Sequence, residues 1–177
     1  MKFFSKYFLV VFGLFNVLAV AQAIESDAKI GQRAKEIAEW AKEATLIEAV
    51  KAQNTSPDKL IQELTQDQWE SLTILDEKIR YFQKSKAGQF LKAKKLDWVS
   101  EAFVSDAEGR KVGFLEKTSS WSHDGKAKHD KPMNGETWKG NLEFDESAGV
   151  EQVQISVPIL EQDKPIGSLV VGIDLSK

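Results

Sequence analysis

Both histidines of this 177-residue chain lie in one polar stretch, TSSWSHDGKAKHDK, which occupies residues 118–131. The stretch also holds a tryptophan, two aspartates and three lysines. It therefore offers an aromatic face, hydrogen-bond donors and acceptors, and positive charge within a few positions. Such a set suits the binding of a small polar molecule. The elements around the stretch decide whether it is a binding site or only a solvated loop.

We predict Trp121, His123, Asp124 and Lys126 as the ligand contacts. Trp121 can stack on a ligand, although an aromatic residue in such a loop more often closes the top of a hydrophobic core. His123 and Asp124 can donate and accept hydrogen bonds, but they also fit a capped, solvated turn. Lys126 and Lys128 can attract an anion, although lysines in a polar loop are usually only solvated. The predicted ligand is a small polar or carboxylated molecule.

The same stretch does not match a metal site or a catalytic triad. His123 and His129 are six positions apart, which is not the spacing of one helical face, and the chain has no cysteine or third histidine. Residues 106–116 hold too few acids for a calcium loop. Ser119, His123 and Asp124 are crowded together, whereas triads draw their members from separate elements, and no GxSxG motif is present. We therefore predict no metal, no cofactor and no enzymatic activity.

The first 23 residues have the layout of a cleavable secretory signal. MKFFSKY carries two lysines and no acid, an apolar run of 14 residues follows, and small residues stand at positions 21 and 23. The apolar run is shorter than the roughly 18 residues expected of a membrane span. We predict export to a periplasmic or secreted location, with cleavage after Ala23 and no stable membrane span afterwards. An uncleaved anchor is the alternative.

The composition bounds the classes of function. Removal of residues 1–23 lowers Lys+Arg from 24 to 22 against 27 acids, which moves the formal charge from −3 to −5. An acidic chain disfavours binding to nucleic acid, which needs a clustered positive field. The remaining residues 24–177 suit one domain with its own core. The absence of cysteine excludes a disulfide framework and a thiol nucleophile.

The first half of the mature chain has helical patterns. Apolar residues recur at steps of three and four from Ile30 to Ile47, which predicts one long helix that runs to about Gln53. Thr65 and Gln68 have the spacing of a capping box at the start of a later helix. After Trp98 the period changes to two.

The second half predicts a five-stranded, mostly antiparallel sheet. WVSEAFVSD and RKVGFLE, joined by the turn DAEG, form a hairpin, and GNLEFDE and SLVVGIDLS supply two more strands. GVEQVQISVPILE places four aliphatic residues on one face and Gln152, Gln154 and Ser156 on the other. The two glutamines face either a pocket or water. The predicted fold class is α+β, with a long N-terminal helix packed on the sheet.

This order of elements resembles an extracytoplasmic PAS-like sensor domain of the single Cache type, also called a PDC sensor domain. LIEAVKAQN resembles the end of the family's long helix, FVSDAEG its first hairpin, and ISVPI with IGSLVVGIDLS its closing strands. The resemblance covers nearly the whole mature chain. It implies that small ligands bind between the sheet and the long connection after the second strand. In this sequence that connection is residues 118–138, which we call the crossing.

The resemblance implies a sensor. Membrane receptors of this type continue into a second membrane span and an output domain, whereas the predicted last strand here ends close to Lys177. We expect an exported, small-molecule-binding sensor domain that passes its ligand state to a partner in signal transduction, such as a membrane receptor. The arginine-tryptophan-tyrosine pattern of the amino-acid-binding members is not seen. Two alternatives stay open: a ligand-free structural or interaction module of the same fold and, less favoured, an enzyme.

Overall fold

The computed structural model describes residues 25–145 and 149–177. Five strands form one antiparallel sheet in the order β2-β1-β5-β4-β3: β1 (Val99–Ser105), β2 (Lys111–Phe114), β3 (Trp138–Asp145), β4 (Val150–Glu161) and β5 (Lys164–Asp174). The helices are α1 (residues 25–40), α2 (Ala44–Thr55), α3 (Gln66–Ser71), α4 (Glu77–Lys84), α5 (Lys86–Lys94) and α6 (Ala127–Met133). The predicted α+β class and the five-stranded antiparallel sheet are confirmed.

The predicted signal segment, residues 1–23, lies outside the described residues. Among the helices in the described ranges, none combines the length and the apolar character that a bilayer crossing requires.

One face of the sheet carries the main hydrophobic core. Ile155 and Val157 of β4 and Val171 of β5 are buried on this face, as the alternating pattern predicts. They share one cluster with Leu46 and Val50 of α2. Because burial of a large aliphatic side chain contributes about 1.5–3 kcal/mol, this helix-side face holds the fold together.

The prediction of one long N-terminal helix is wrong, because the helix breaks after Trp40. α2 begins only at Ala44, and its N-cap, Glu43, has an extended backbone. A continuous helix turns 100° per residue, so Leu46 would point about 180° away from Ile37. Both side chains are nevertheless fully buried in the structure. The break allows this, because it changes the direction in which α2 presents its side chains. The predicted apolar stripe included the small Ala41 and Ala44 but not the larger Leu46.

The other face of the sheet carries an aromatic cluster that supports the crossing. Phe103 of β1 and Phe114 of β2 are buried there, together with Trp69 of α3. The predicted capping box starts α3: Gln68 N donates to Thr65 Oγ1 at 3.3 Å, and Thr65 N donates to Gln68 Oε1 at 3.0 Å. The cap orients Trp69, whose Nε1 donates to the carbonyl oxygen at the start of the crossing, at residue 118, over 2.7 Å.

The β1–β2 turn holds the middle of the crossing. Gly109 adopts φ 73°, which is the left-handed region that glycine tolerates best. A Cβ at this position would also overlap the backbone nitrogen of Asp124. His123 N donates to Gly109 O at 2.9 Å, and Ser122 Oγ donates to Glu108 O at 2.8 Å. The predicted hairpin is confirmed, and its turn fixes the crossing against the sheet.

Candidate functional site

An open cleft of about 920 Å³ lies between the crossing and the face of the sheet that carries the aromatic cluster. The sheet supplies its floor, and residues from the two ends of the polar stretch supply the opposite wall. Its size is that of a small-molecule site. The side chains that matter most for its chemistry are Glu101, Phe103, His123, Lys128, Gln152 and Gln154.

The floor of the cleft is a network of amides and carboxylates. Gln152 and Gln154 are buried and line the cleft, so the glutamine face of β4 meets a pocket and not water. Gln152 Nε2 donates to Glu101 Oε1 at 3.1 Å and to Glu143 Oε1 at 3.2 Å, and Gln154 Nε2 also donates to Glu101 Oε1. Ser100 Oγ donates to Gln152 Oε1. These bonds hold the acceptor oxygens of the floor in fixed positions.

Because Gly172 has no side chain, side chains of the floor network can meet above β5. It lies between Glu101 of β1 and Gln154 of β4 in the strand register. A Cβ at Gly172 would overlap the side-chain oxygen of Gln152 and the hydroxyl of Ser100. The absence of a side chain is therefore what allows side chains from β1 and β4 to meet above the middle strand.

A buried lysine, Lys111, contacts His123 in the wall of the cleft. Lys111 of β2 is fully buried, and its Nζ lies 2.5 Å from His123 Nδ1 and 3.5 Å from Trp121 O. The same Nζ lies 4.6 Å from the centroid of the Phe103 ring. The His123 ring stacks on Phe103 with 4.7 Å between centroids and an angle of 15°. Lys111 and Phe103 together fix the imidazole where it lines the cleft.

Burial sets the electrostatics of this wall. It lowers the pKa of Lys111 well below its ordinary value, and the charges of Lys126 and Lys128 act in the same direction. Burial, followed by the charge of Lys111, lowers the pKa of His123 to about 2, so the imidazole is neutral at physiological pH. Burial also lowers the pKa of Lys128, although the attraction of Glu101 opposes it.

Of the four predicted contacts, the structure brings only His123 to the cleft. Trp121 is buried in the aromatic cluster, 5.4 Å from Trp69 between ring centroids, which is the core-closing position that the sequence left open. Asp124 and Lys126 are exposed and are not part of the cleft lining. Lys126 Nζ donates to a serine hydroxyl of the crossing at 2.7 Å. That these four residues contact a ligand stays a prediction.

Glu101 and Lys111 are among the residues of the site that sequence reasoning missed. Glu101 alternates with Phe103 and Ser105 along β1, so a known strand order would have placed its side chain on the face of Gln152 and Gln154. Lys111 has no comparable signal, because an isolated lysine in a hairpin strand normally faces water.

The other histidine, His129 of α6, pairs with a serine beneath that helix. His129 Nδ1 lies 2.9 Å from Ser168 Oγ, and both residues are buried. Burial keeps this hydroxyl away from any substrate, so the pair supports α6 and is not a nucleophile with its base. His123 Nδ1 contacts Lys111 and not a carboxylate, so it does not complete a triad with Ser119 and Asp124.

The fold is that of solved sensor domains. The sensor domain of the V. cholerae histidine kinase DctB superposes with a TM-score of 0.62 at 13% identity, covering 96% of this chain and 58% of that one. The extracellular domain of vpHK1S-Z8 matches with a TM-score of 0.55 at 12% identity, covering 99% of this chain and 62% of that one. No protein-family model and no curated protein sequence matches the chain. The fold expected from the resemblance is therefore shared with these solved domains.

This chain spans about three fifths of the length of those two domains. One is the sensor domain and the other the extracellular domain of a histidine kinase. At such low identity the likeness establishes the fold, and the activity of this chain has to be argued from its own cleft.

Proposed function

We propose that this chain is an exported sensor domain that binds a small polar molecule in the cleft between the crossing and the sheet. The observation that carries the proposal is the hydrogen-bonded floor beneath an open cleft of about 920 Å³, in which the buried Gln152 and Gln154 donate to the half-buried Glu101. Burying polar side chains costs free energy unless they are satisfied, so a built polar floor favours a polar ligand. A domain that had lost its ligand would be expected to fill this space with side chains.

The lining suggests which groups the ligand carries. Glu101 and Glu143 offer carboxylate oxygens, which favour a positively charged or hydrogen-bond-donating group at the floor. Lys117 and Lys128 also line the cleft, which leaves room for the carboxylated ligand predicted from the sequence. We propose a small metabolite with a donor or cationic group directed at the floor.

The ligand state would pass to a partner protein. The folds that this chain resembles are sensor domains of signalling proteins, and a membrane receptor is the partner that we propose. A periplasmic or secreted location follows from the N-terminal pattern and fits the extracellular placement of vpHK1S-Z8.

A metabolite panel tests the proposal by thermal unfolding. A compound that binds only the folded state stabilises it by about 2.7 kcal/mol at a hundredfold excess over Kd, which corresponds to about 5–11 °C for a chain of this size. The panel should include amines, diamines, hydroxy acids and carboxylates. At least one compound should raise the melting temperature.

Two matched variants locate the site. Glu101→Gln keeps the shape of the floor but removes its charge, and loss of a charge-assisted hydrogen bond of about 1.5–3 kcal/mol should weaken binding about 10- to 150-fold. Glu63→Gln removes an exposed carboxylate that is not part of the cleft lining and should leave binding unchanged. Equal affinity of the hit for both variants and for His123→Asn would place the ligand elsewhere.

A further inference from the structure

The unusual feature of the wall is a buried lysine that forms no ion pair within the part of the chain that the structure describes. Lys111 is fully buried, and the three groups around its Nζ are a carbonyl oxygen of Trp121, the face of Phe103 and Nδ1 of His123. Carbonyl oxygens and aromatic faces are acceptors only. A protonated amine has three hydrogens and would donate to all three groups, whereas a neutral amine would donate to two of them and accept from Nδ1–H. Burial lowers the pKa of Lys111, while the carboxylates of Glu101 and Asp106 act to raise it and so favour the ammonium.

The contact with Lys111 distinguishes the two ring nitrogens of His123. Stacking on Phe103 sets the plane of the ring, and the contact of Nδ1 with Lys111 sets which edge of the ring faces inward. The His123 backbone is also fixed, because its N–H donates to Gly109 O. His123 lines the cleft, and its Nε2 has no hydrogen-bond partner among the described residues. The Nε2 edge is therefore the part of the ring that a ligand would meet.

We infer that Lys111 is a positioning residue that holds His123 as the Nε2–H tautomer, so that the cleft presents a fixed, neutral N–H donor. Which ring nitrogen carries the hydrogen is set by the hydrogen bond that the other nitrogen makes. A Lys111 ammonium that donates to Nδ1 leaves the ring hydrogen on Nε2. The inference rests on the proposed function for its consequence: the ligand carries an acceptor oxygen, of a carbonyl or carboxylate, at this end of the cleft.

The neighbouring groups agree with this assignment. The low pKa of His123 keeps the ring neutral, and a neutral imidazole has one donor and one acceptor nitrogen. Among the groups of the crossing, Lys128, Lys126 and His129 act on the ring, and all three disfavour the imidazolium. Lys128 also lines the cleft and offers positive charge to an acceptor oxygen, although the carboxylates of Glu101 and Glu143 act on Lys128 in the same cleft.

The tautomer is measured directly by NMR of protein carrying isotope-labelled histidine. The chain has two histidines, so His123→Asn assigns both sets of ring signals. In the ligand-free wild type, two-bond nitrogen–proton correlations should show His123 with unprotonated Nδ1 and protonated Nε2. A protonated Nδ1 in the wild type would overturn the inference, whatever the cleft binds.

Lys111→Met provides the matched perturbation, because an apolar side chain of similar length suits a buried position. The single tautomer of His123 should be lost and Nδ1–H signals should appear. His129, whose Nδ1 is engaged by Ser168, should keep its pattern as the internal control. An unchanged His123 pattern in a folded Lys111→Met protein would overturn the positioning role. Should that variant fail to fold, the wild-type spectrum still decides the tautomer.

Small probes test the consequence for the ligand. Acetamide, which supplies a neutral carbonyl oxygen, should shift the Nε2 signal of wild-type His123, and ethylammonium chloride at the same concentration should not. The acetamide shift should be lost in Lys111→Met. A wild-type Nε2 signal that responds to neither acetamide nor acetate would refute the acceptor-oxygen requirement, while a ligand found by the metabolite panel would still support the proposed function.

Discussion

Gly172→Ala separates the stability of the sheet from the integrity of the cleft floor. The new Cβ would overlap the side-chain oxygen of Gln152 and the hydroxyl of Ser100, with Glu101 Cγ next in distance. The two overlapping atoms are the far ends of flexible side chains, so the network opens while the backbone stays in place. The variant should therefore fold but lose the arrangement of its floor.

The magnitude follows from the bonds that are lost. The Ser100–Gln152 and Gln152–Glu101 hydrogen bonds are worth about 0.5–1.5 kcal/mol each, which gives a loss of about 1–3 kcal/mol. Replacing glycine by alanine in a compatible backbone returns about 0.4–1 kcal/mol. The net destabilisation should be about 0–2.6 kcal/mol, which is at most about 10 °C in melting temperature. The ligand-induced rise in melting temperature should disappear.

Gly167→Ala is the matched control on the same strand. Its Cβ would overlap the backbone carbonyl oxygen of Ser105 and approach a core methyl of Val50, and neither can move freely. Overpacking of this kind costs about 1–3 kcal/mol. Because Gly167 is not part of the cleft lining, its variant should keep the ligand-induced rise. A variant at Gly172 that binds ligand as the wild type does would refute the role given to the floor.

Three further predictions concern stability, pH and processing. Ile155→Ala should cost about 2–5 kcal/mol in chemical denaturation, against less than about 0.5 kcal/mol for the exposed Lys131→Ala, and equal costs would contradict the assignment of the core face. His123 has a pKa of about 2 when folded and about 6.5 when unfolded, so the unfolded chain binds the proton and stability falls as the pH drops below 6.5. Between about pH 7.5 and pH 5.5, the free energy of unfolding of the wild type should fall by about 1.4 kcal/mol more than that of His123→Asn. Urea titrations of both proteins at the two pH values measure this difference, and equal losses would contradict the prediction. Mass spectrometry of the protein from its native compartment should find Ile24 as the first residue, whereas an intact Met1–Ala23 segment in a membrane fraction would support the anchor.

The sheet and several local structures are predictable from the pattern of residue types along the chain. Alternation along β4 and β5 separates the aliphatic face from the face of Gln152 and Gln154, because side chains of a strand point to opposite sides. The capping box at Thr65 and the turn at Gly109 are likewise encoded by residues a few positions apart. These features depend on near neighbours in the chain, so the pattern of residue types was enough to predict them.

Which polar residues form the site depends on packing between segments that are distant in the sequence. In β2 a bulge makes Val112 an extra residue opposite β1, so that Lys111 and Phe114 both face the aromatic cluster while Val112 enters the other core. No local pattern shows that Lys111 is buried. The contacts of the crossing were equally hidden, because Trp121 is held by Trp69, far away in the sequence. Which side chains meet across strands is set by register and by distant packing partners, and a pattern along one segment contains neither.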